Sequence, residues 1–151
     1  MNNDALQDAY VRAVCQTHLG RLKQENPEID GALIATADGF ELADCVPTGV
    51  TANRLAAMTS SFLALAEAIS QESVAGQCRD VLIEASLGFV LLMDIPSVKQ
   101  RAVLCVLCSE AATLGRVRWS ARQAREQVAK ALDVQLSVTA AQAAALARLQ
   151  A

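Results

Sequence analysis

Five cysteines are the residues of this 151-residue chain with the clearest potential for chemistry. Cys105 and Cys108 have the two-residue separation of a zinc knuckle, in which thiolates and imidazoles bind the metal tetrahedrally. Both lie in an apolar run that is typical of a strand, where an offset of three residues directs side chains to opposite faces. Because the chain contains only one histidine, we predict no metal site. Without an export signal, all five cysteines are expected to be reduced thiols in the cytoplasm.

The remaining residues with catalytic potential do not form a recognisable site. Asp80 and Glu84 share one face of a predicted strand, but nothing marks them as a general acid and base. His18 lies on the apolar stripe of a predicted helix, which favours a packed or half-exposed structural role over that of a ligand or base. The sequence lacks a phosphate-binding loop, a dinucleotide fingerprint and a nucleophile elbow. We therefore predict no catalytic residue and no cofactor, and interpret the chain as a binding module rather than an enzyme.

Composition restricts the classes of partner. The formal net charge of −3 and the 3% aromatic content argue against nucleic-acid binding, both by charge and by base stacking. Apolar residues form 53% of the chain and charged residues only 19%, an excess that requires either an unusually complete core or a subunit interface. No apolar run approaches the roughly 20 residues of a membrane span.

A hairpin over residues 31–45 is the best-defined element. Asp38-Gly39 predicts a two-residue primed turn, since Gly adopts positive φ freely and Asp tolerates it. This turn pairs Ala35 with Leu42 and Leu33 with Asp44. Neither face of the hairpin is consistently polar, so we expect helices to cover both sides.

Further elements follow from periodicity. Strands are predicted at residues 81–85, 89–95 and 102–108, and their short connections make them antiparallel neighbours. Helices are predicted at residues 4–24, 51–72 and 113–132. We place one domain at residues 1–132 and a C-terminal extension, able to form a short helix, at residues 133–151.

The second predicted helix carries two apolar stripes. A stripe of large residues is expected to face the sheet; it consists of Leu55, Met58, Phe62, Leu65 and Ile69. Beside it runs a stripe of small residues, Ala57, Ser61, Ala64 and Ala68. Only Arg54, Glu67 and Glu72 are charged in this helix. Two interpretations remain open: a helix buried within one subunit, or a helix–helix contact between subunits.

The third predicted helix has a basic outer face. Arg118, Arg122 and Arg125 recur at i, i+4 and i+7, within a segment that is strongly basic for an acidic protein. A solvated helix face explains this pattern. The alternative is a docking surface for an acidic partner or, with less support, for anionic lipid.

The order of elements and several segments together resemble the roadblock family of dynein-light-chain-like proteins. The resemblance covers about residues 5–132 and is carried by Gly31-Ala-Leu-Ile-Ala-Thr-Ala-Asp-Gly-Phe-Glu-Leu-Ala43, Arg54-Leu-Ala-Ala-Met58, Gly88-Phe-Val-Leu-Leu-Met93, Val103-Leu-Cys-Val-Leu107 and Leu114-Gly-Arg-Val-Arg118. It implies a profilin-like, three-layer α+β fold with a five-stranded antiparallel sheet of order 2-1-5-4-3. It also implies a dimer formed by pairing of the third strand, which carries Val81 and Ile83, and by packing of the long helix.

The resemblance also implies a function. Bacterial members of the family that regulate gliding bind Ras-like small GTPases, and some accelerate GTP hydrolysis by reordering the GTPase rather than by supplying an arginine finger. Our first hypothesis is a homodimeric regulator of a Ras-like GTPase. The second is a scaffold in polarity, motility or signalling without GTPase-directed activity. A third, a small-ligand sensor, has little support because the predicted sheet residues are small and uniformly apolar.

Overall fold

The computed structural model describes residues 3–98 and 100–149 of the chain. The elements, in chain order, are α1 (Asn3–Glu25), β1 (Ile29–Thr36), β2 (Glu41–Asp44), α2 (Ala52–Glu72), β3 (Asp80–Ala85), β4 (Gly88–Ile95), β5 (Ala102–Ser109) and α3 (Leu114–Leu149). The five strands form one sheet of order β2-β1-β5-β4-β3, and every neighbouring pair is antiparallel. The predicted α+β fold, its element order and its strand order are confirmed.

The helices and the sheet form three layers. Side chains alternate along each strand, so one face of the sheet packs against α1 and α3, and the other packs against α2. Cys108 belongs to the first cluster and Cys105 to the second, which confirms that their spacing places them on opposite faces. The α1/α3 side holds most of the buried apolar residues, whereas the apolar cluster on the α2 side contains only Leu33, Ala35, Ala56, Leu92 and Cys105 as buried members.

The β1–β2 hairpin differs from the predicted turn by one residue. Leu33 pairs with Asp44 as predicted, but Ala35 pairs with Glu41 and not with Leu42, because the register shifts after Ile34. The Thr36 N–H donates to the Phe40 carbonyl at 2.8 Å and the Gly39 N–H donates to the Thr36 carbonyl at 3.0 Å. Gly39, with φ of +96°, therefore completes a three-residue turn with a bulge rather than a two-residue turn.

Helix α2 is rotated relative to the prediction. Its buried residues are Ala56, Thr59, Ser60 and Leu63. The predicted inward stripe is wrong for four of its five members, because Met58, Phe62, Leu65 and Ile69 are exposed; only Leu55 packs against the α2-side core. The large apolar side chains of this helix thus point away from the sheet.

Helix α3 is longer than predicted. It runs without interruption to Leu149, so the prediction that this helix ends at residue 132 is wrong. The extension from residue 133, for which the sequence allowed a short helix, belongs to α3 as far as Leu149.

The C-terminus of α2 contains a strained residue. The Val74 N–H donates to the Gln71 carbonyl at 3.2 Å and the Ala75 N–H donates to the Ser70 carbonyl at 2.9 Å, the hydrogen-bond pattern of a Schellman motif. Val74 occupies the left-handed position of this motif with φ of +59°, where glycine is usual and a β-branched residue is costly. Its side chain is 91% exposed and therefore contributes little packing in return.

Replacing Val74 with Gly is expected to stabilise the protein. Removal of the Cβ relieves the left-handed strain, and this gain exceeds the added entropy of the unfolded chain by about 0.5–1 kcal/mol. Urea unfolding at fixed protein concentration measures the change. Val98→Gly is the matched control, because Val98 is also a highly exposed valine outside the helices and strands but has no positive φ, so this variant is expected to be neutral or slightly destabilised. Equal effects of the two variants contradict the strain argument.

Candidate protein interface

The outer face of α2 is apolar along most of the helix. Its large-residue stripe is substantially exposed, at 55% for Met58, 44% for Phe62, 58% for Leu65 and 59% for Ile69. The predicted small-residue stripe, Ala57, Ser61, Ala64 and Ala68, is exposed beside it. We call these two stripes together the outer face of α2. A contiguous apolar surface on a helix with few charged residues is typical of an interaction site.

Small and polar side chains hold the opposite face of α2 close to the sheet. The Ser60 hydroxyl donates a 2.7 Å hydrogen bond to the Thr36 carbonyl, and both residues are buried. Thr59 is buried on the same face of the helix. At the N-terminal half of the helix, a Cβ built on Gly39 would lie 3.3 Å from the Ala57 Cα, so the hairpin turn and the helix backbone approach closely. These contacts fix which face of α2 points outward.

The two edges of the sheet differ in whether another part of the chain covers them. At the β2 edge, the Arg12 guanidinium donates to the Glu41 carbonyl at 3.0 Å and the Gln16 amide donates to the Asp44 carbonyl at 2.9 Å. Helix α1 therefore covers the β2 edge. Strand β3 pairs only with β4, and no described side chain bonds to the backbone of residues 81–85. This leaves β3 as the edge on which another strand can pair.

The sequence-predicted interface residues fall on one side of the molecule. Val81 packs against the same apolar cluster as Leu55 of α2, and alternation along β3 places Ile83 on that side too. Ile83 is exposed, like the outer face of α2. Met58, Phe62, Leu65 and Ile69 belong to this surface as well, although sequence reasoning placed them in the core. Their lack of charged neighbours on the helix was the signal that could have identified them.

The three arginines predicted as a second surface lie on the other side of the sheet. Arg118 Nε lies 3.4 Å and Arg122 Nη2 3.0 Å from the same carboxylate oxygen of Asp80, whose side chain is only 10% exposed. Two of the three arginines therefore attach α3 to the edge strand β3. Arg125 is half-buried, and its Nε has no hydrogen-bond partner among the described residues.

An exposed aromatic residue adds to this α3 surface. Trp119 is the only tryptophan of the chain and is largely exposed. Its spacing of three residues from both Arg116 and Arg122 places it between them on the helix surface. Arg116 forms an ion pair with Glu28 at 3.5 Å. The sequence analysis did not single out Trp119, since exposure of one aromatic on an amphipathic helix cannot be read from spacing alone.

The buried cysteines are poorly suited to chemistry. Burial raises the pKa of Cys15 and of Cys105 to about 11. Burial, together with the nearby acidic side chains of Asp30 and Glu28, raises the pKa of Cys108 to about 12. Thiols with such pKa values are protonated at neutral pH, whereas the thiolate is the nucleophile and the metal ligand. The described residues contain no group of three or more histidine, cysteine or acidic side chains that could hold a metal ion.

Comparison with known proteins identifies the family. The model of the Roadblock/LC7 domain matches residues 16–107, and the chain belongs to this family. Among solved structures, an MglB with tetrameric arrangement superposes with a TM-score of 0.72 at 22% identity, covering 83% of this chain and 91% of that chain. Myxococcus xanthus MglB superposes with a TM-score of 0.69 at 17% identity, covering 85% of this chain and 91% of that chain.

The fold is also that of profilin. Acanthamoeba castellanii profilin IB superposes with a TM-score of 0.50 at 15% identity, covering 77% of this chain and 97% of that chain. At such identities the likeness concerns the fold alone. Within the described residues, none of the helices combines the length and apolar character needed to cross a membrane.

Reversing the charge of Arg118 is expected to destabilise the fold, because Arg118 pairs with Asp80 of β3. Arg118→Glu places a second carboxylate beside Asp80, whose side chain is 10% exposed, and we expect a loss of roughly 1–3 kcal/mol in the free energy of unfolding, moderated because the arginine is partly exposed to solvent. Urea unfolding measures the loss. Lys130→Glu is the matched control on the same helix, since Lys130 is exposed and forms no ion pair with a described residue. Comparable losses in both variants contradict the structural role of the Arg118–Asp80 pair.

Proposed function

We propose that the protein is a cytoplasmic, homodimeric regulator that binds a small Ras-like GTPase and has no catalytic chemistry of its own. The observation that carries this proposal is the exposed apolar outer face of α2 beside the uncovered edge of β3. The dimer forms the platform, and the GTPase docks on it.

The dimer accounts for both features at once. Strand β3 can pair with its own copy across a two-fold axis, which satisfies its free backbone groups and extends the sheet. The same axis sets the two copies of α2 side by side on one face of the extended sheet, so that exposed residues along their facing sides meet. The proposed interface residues are Ala57, Ser61, Ala64, Ala68, Val81 and Ile83, together with the large-residue stripe. The tetrameric arrangement of an MglB is an example of self-association on this fold.

A charge in the large-residue stripe is expected to separate the subunits. Leu65→Glu places a carboxylate at the middle of the outer face of α2, where burial against a second chain leaves it without a partner, so light scattering should show the mass of a monomer. Phe40→Glu is the control, because Phe40 is similarly exposed, at 65%, but lies at the β1–β2 turn, next to the opposite sheet edge. The control should remain dimeric. A dimeric mass for Leu65→Glu rules out this interface.

The GTPase assignment rests on family membership. The resemblance to the roadblock family implies binding of a Ras-like GTPase, as in its gliding regulators, and this chain belongs to the family and shares the fold of MglB. The GTPase docks on surface that the dimer leaves exposed, and the open groove beside β3 is polar and lined by Arg79, Arg118 and Arg122. Stimulation of hydrolysis on the dimer takes place through ordering of the GTPase, with the catalytic groups supplied by the GTPase.

Nucleotide-dependent capture tests the GTPase assignment. The immobilised protein is incubated with native lysate loaded with either a GTP analogue or GDP, and bound proteins are identified by mass spectrometry. We expect a Ras-like GTPase to be enriched in the GTP-analogue sample, and the Leu65→Glu variant to lose it.

A purified pair then distinguishes a regulator from a scaffold. Single-turnover GTP hydrolysis is measured with and without the dimer. Acceleration supports GTPase-directed activity, whereas capture without acceleration supports a scaffold. Recovery of no Ras-like GTPase in either sample contradicts the role of a GTPase regulator and favours a scaffold without GTPase-directed activity.

A further inference from the structure

Two opposite charges lie at the ends of the outer face of α2. Arg54 and Glu72 are separated by 18 residues, which is about five helical turns, so both point to the same side about 27 Å apart. Both are exposed, and neither forms an ion pair with a described residue. The one charged residue between them, Glu67, is directed elsewhere, since its carboxylate accepts hydrogen bonds from the Cys78 N–H at 3.0 Å and from the Gln71 amide.

We propose that α2 packs antiparallel against α2 of a second copy, centred on Leu63, with Arg54 of each copy paired to Glu72 of the other. The proposal rests on the homodimer proposed above and assigns its register. An antiparallel pair related by a two-fold axis places residues at the same level when their distances from the centre are equal and opposite. Arg54 and Glu72 are each nine residues from Leu63, so a single register forms both ion pairs.

Side-chain size supports the same register independently of charge. Centred on Leu63, every level of the outer face combines one large and one small residue. The levels are Met58 with Ala68, Phe62 with Ala64, Leu65 with Ser61, and Ile69 with Ala57 of the other copy. Alternation of large and small side chains within each layer allows two helices to approach evenly along their whole length.

Other arrangements lose both kinds of complementarity. In a parallel pair each residue shares a level with its own copy, which brings Arg54 against Arg54 and Met58 against Met58. An antiparallel pair displaced by one turn toward the C-terminus places Leu65 level with Leu65 and leaves Arg54 beyond the end of the partner helix. Like charges and two large residues at one level are both unfavourable.

Cross-linking of paired variants tests the register. In a background of Cys45→Ser and Cys78→Ser, which removes the two half-exposed thiols, chains carrying Arg54→Cys are coexpressed with chains carrying Glu72→Cys. A short thiol-to-thiol cross-linker should produce a covalent dimer only in the mixture, because identical positions lie about 27 Å apart in the antiparallel pair. Cross-linking of Arg54→Cys chains alone overturns the register and leaves the homodimer standing. A monomeric mass for the cysteine-substituted background overturns the homodimer itself.

Charge reversal gives a second measurement without added cysteines. Arg54→Glu and Glu72→Arg each place like charges at both ends of the interface, and we expect each to weaken dimerisation by about tenfold in Kd at low salt. The double variant restores opposite charges and should recover the affinity of the unmodified protein. Lys130→Glu on α3 is the control and should leave the Kd unchanged. Failure of the double variant to recover affinity overturns the proposed ion pairs.

Discussion

The position of α2 on the sheet determines which large apolar residues of the molecule are exposed to solvent. The helix is held by the buried hydrogen bond from Ser60 to the Thr36 carbonyl and by the small side chains of Ala56 and Thr59. A helix seated through small residues lies close to the strands, and its large apolar residues are then directed to solvent. Packing against the sheet therefore does not gain the free energy that burial of these residues would provide.

Most of the fold is encoded locally and could be predicted from the sequence. Turn residues and short connections define the antiparallel strands, and helical periodicity defines α1, α2 and the start of α3. The resemblance to the roadblock family supplied the strand order. The hairpin register was missed by one residue beyond Ile34, because a glycine with positive φ suits both a two-residue turn and a three-residue turn with a bulge.

The candidate interface was harder to predict because burial depends on tertiary and quaternary contacts together. Hydrophobic periodicity identifies apolar faces but does not distinguish a core from a subunit interface, so Phe62 and Leu65 were assigned to the sheet side. The ion pairs of Asp80 with Arg118 and Arg122 could likewise not be predicted, since these residues come together only when β3 and α3 pack. Such pairs are distant in sequence and carry no local pattern.

The topology supports the proposal that a second copy of the chain covers α2. Both α1 and α3 pack on the opposite side of the sheet, so no described helix other than α2 lies on its side. Covering α2 within the monomer would require an additional element that crosses the sheet edge. At one edge, α1 already covers β2 through hydrogen bonds from Arg12 and Gln16 to the backbone of this strand. The remaining edge, β3, is open on the same side as the outer face of α2, and one symmetric contact can cover both.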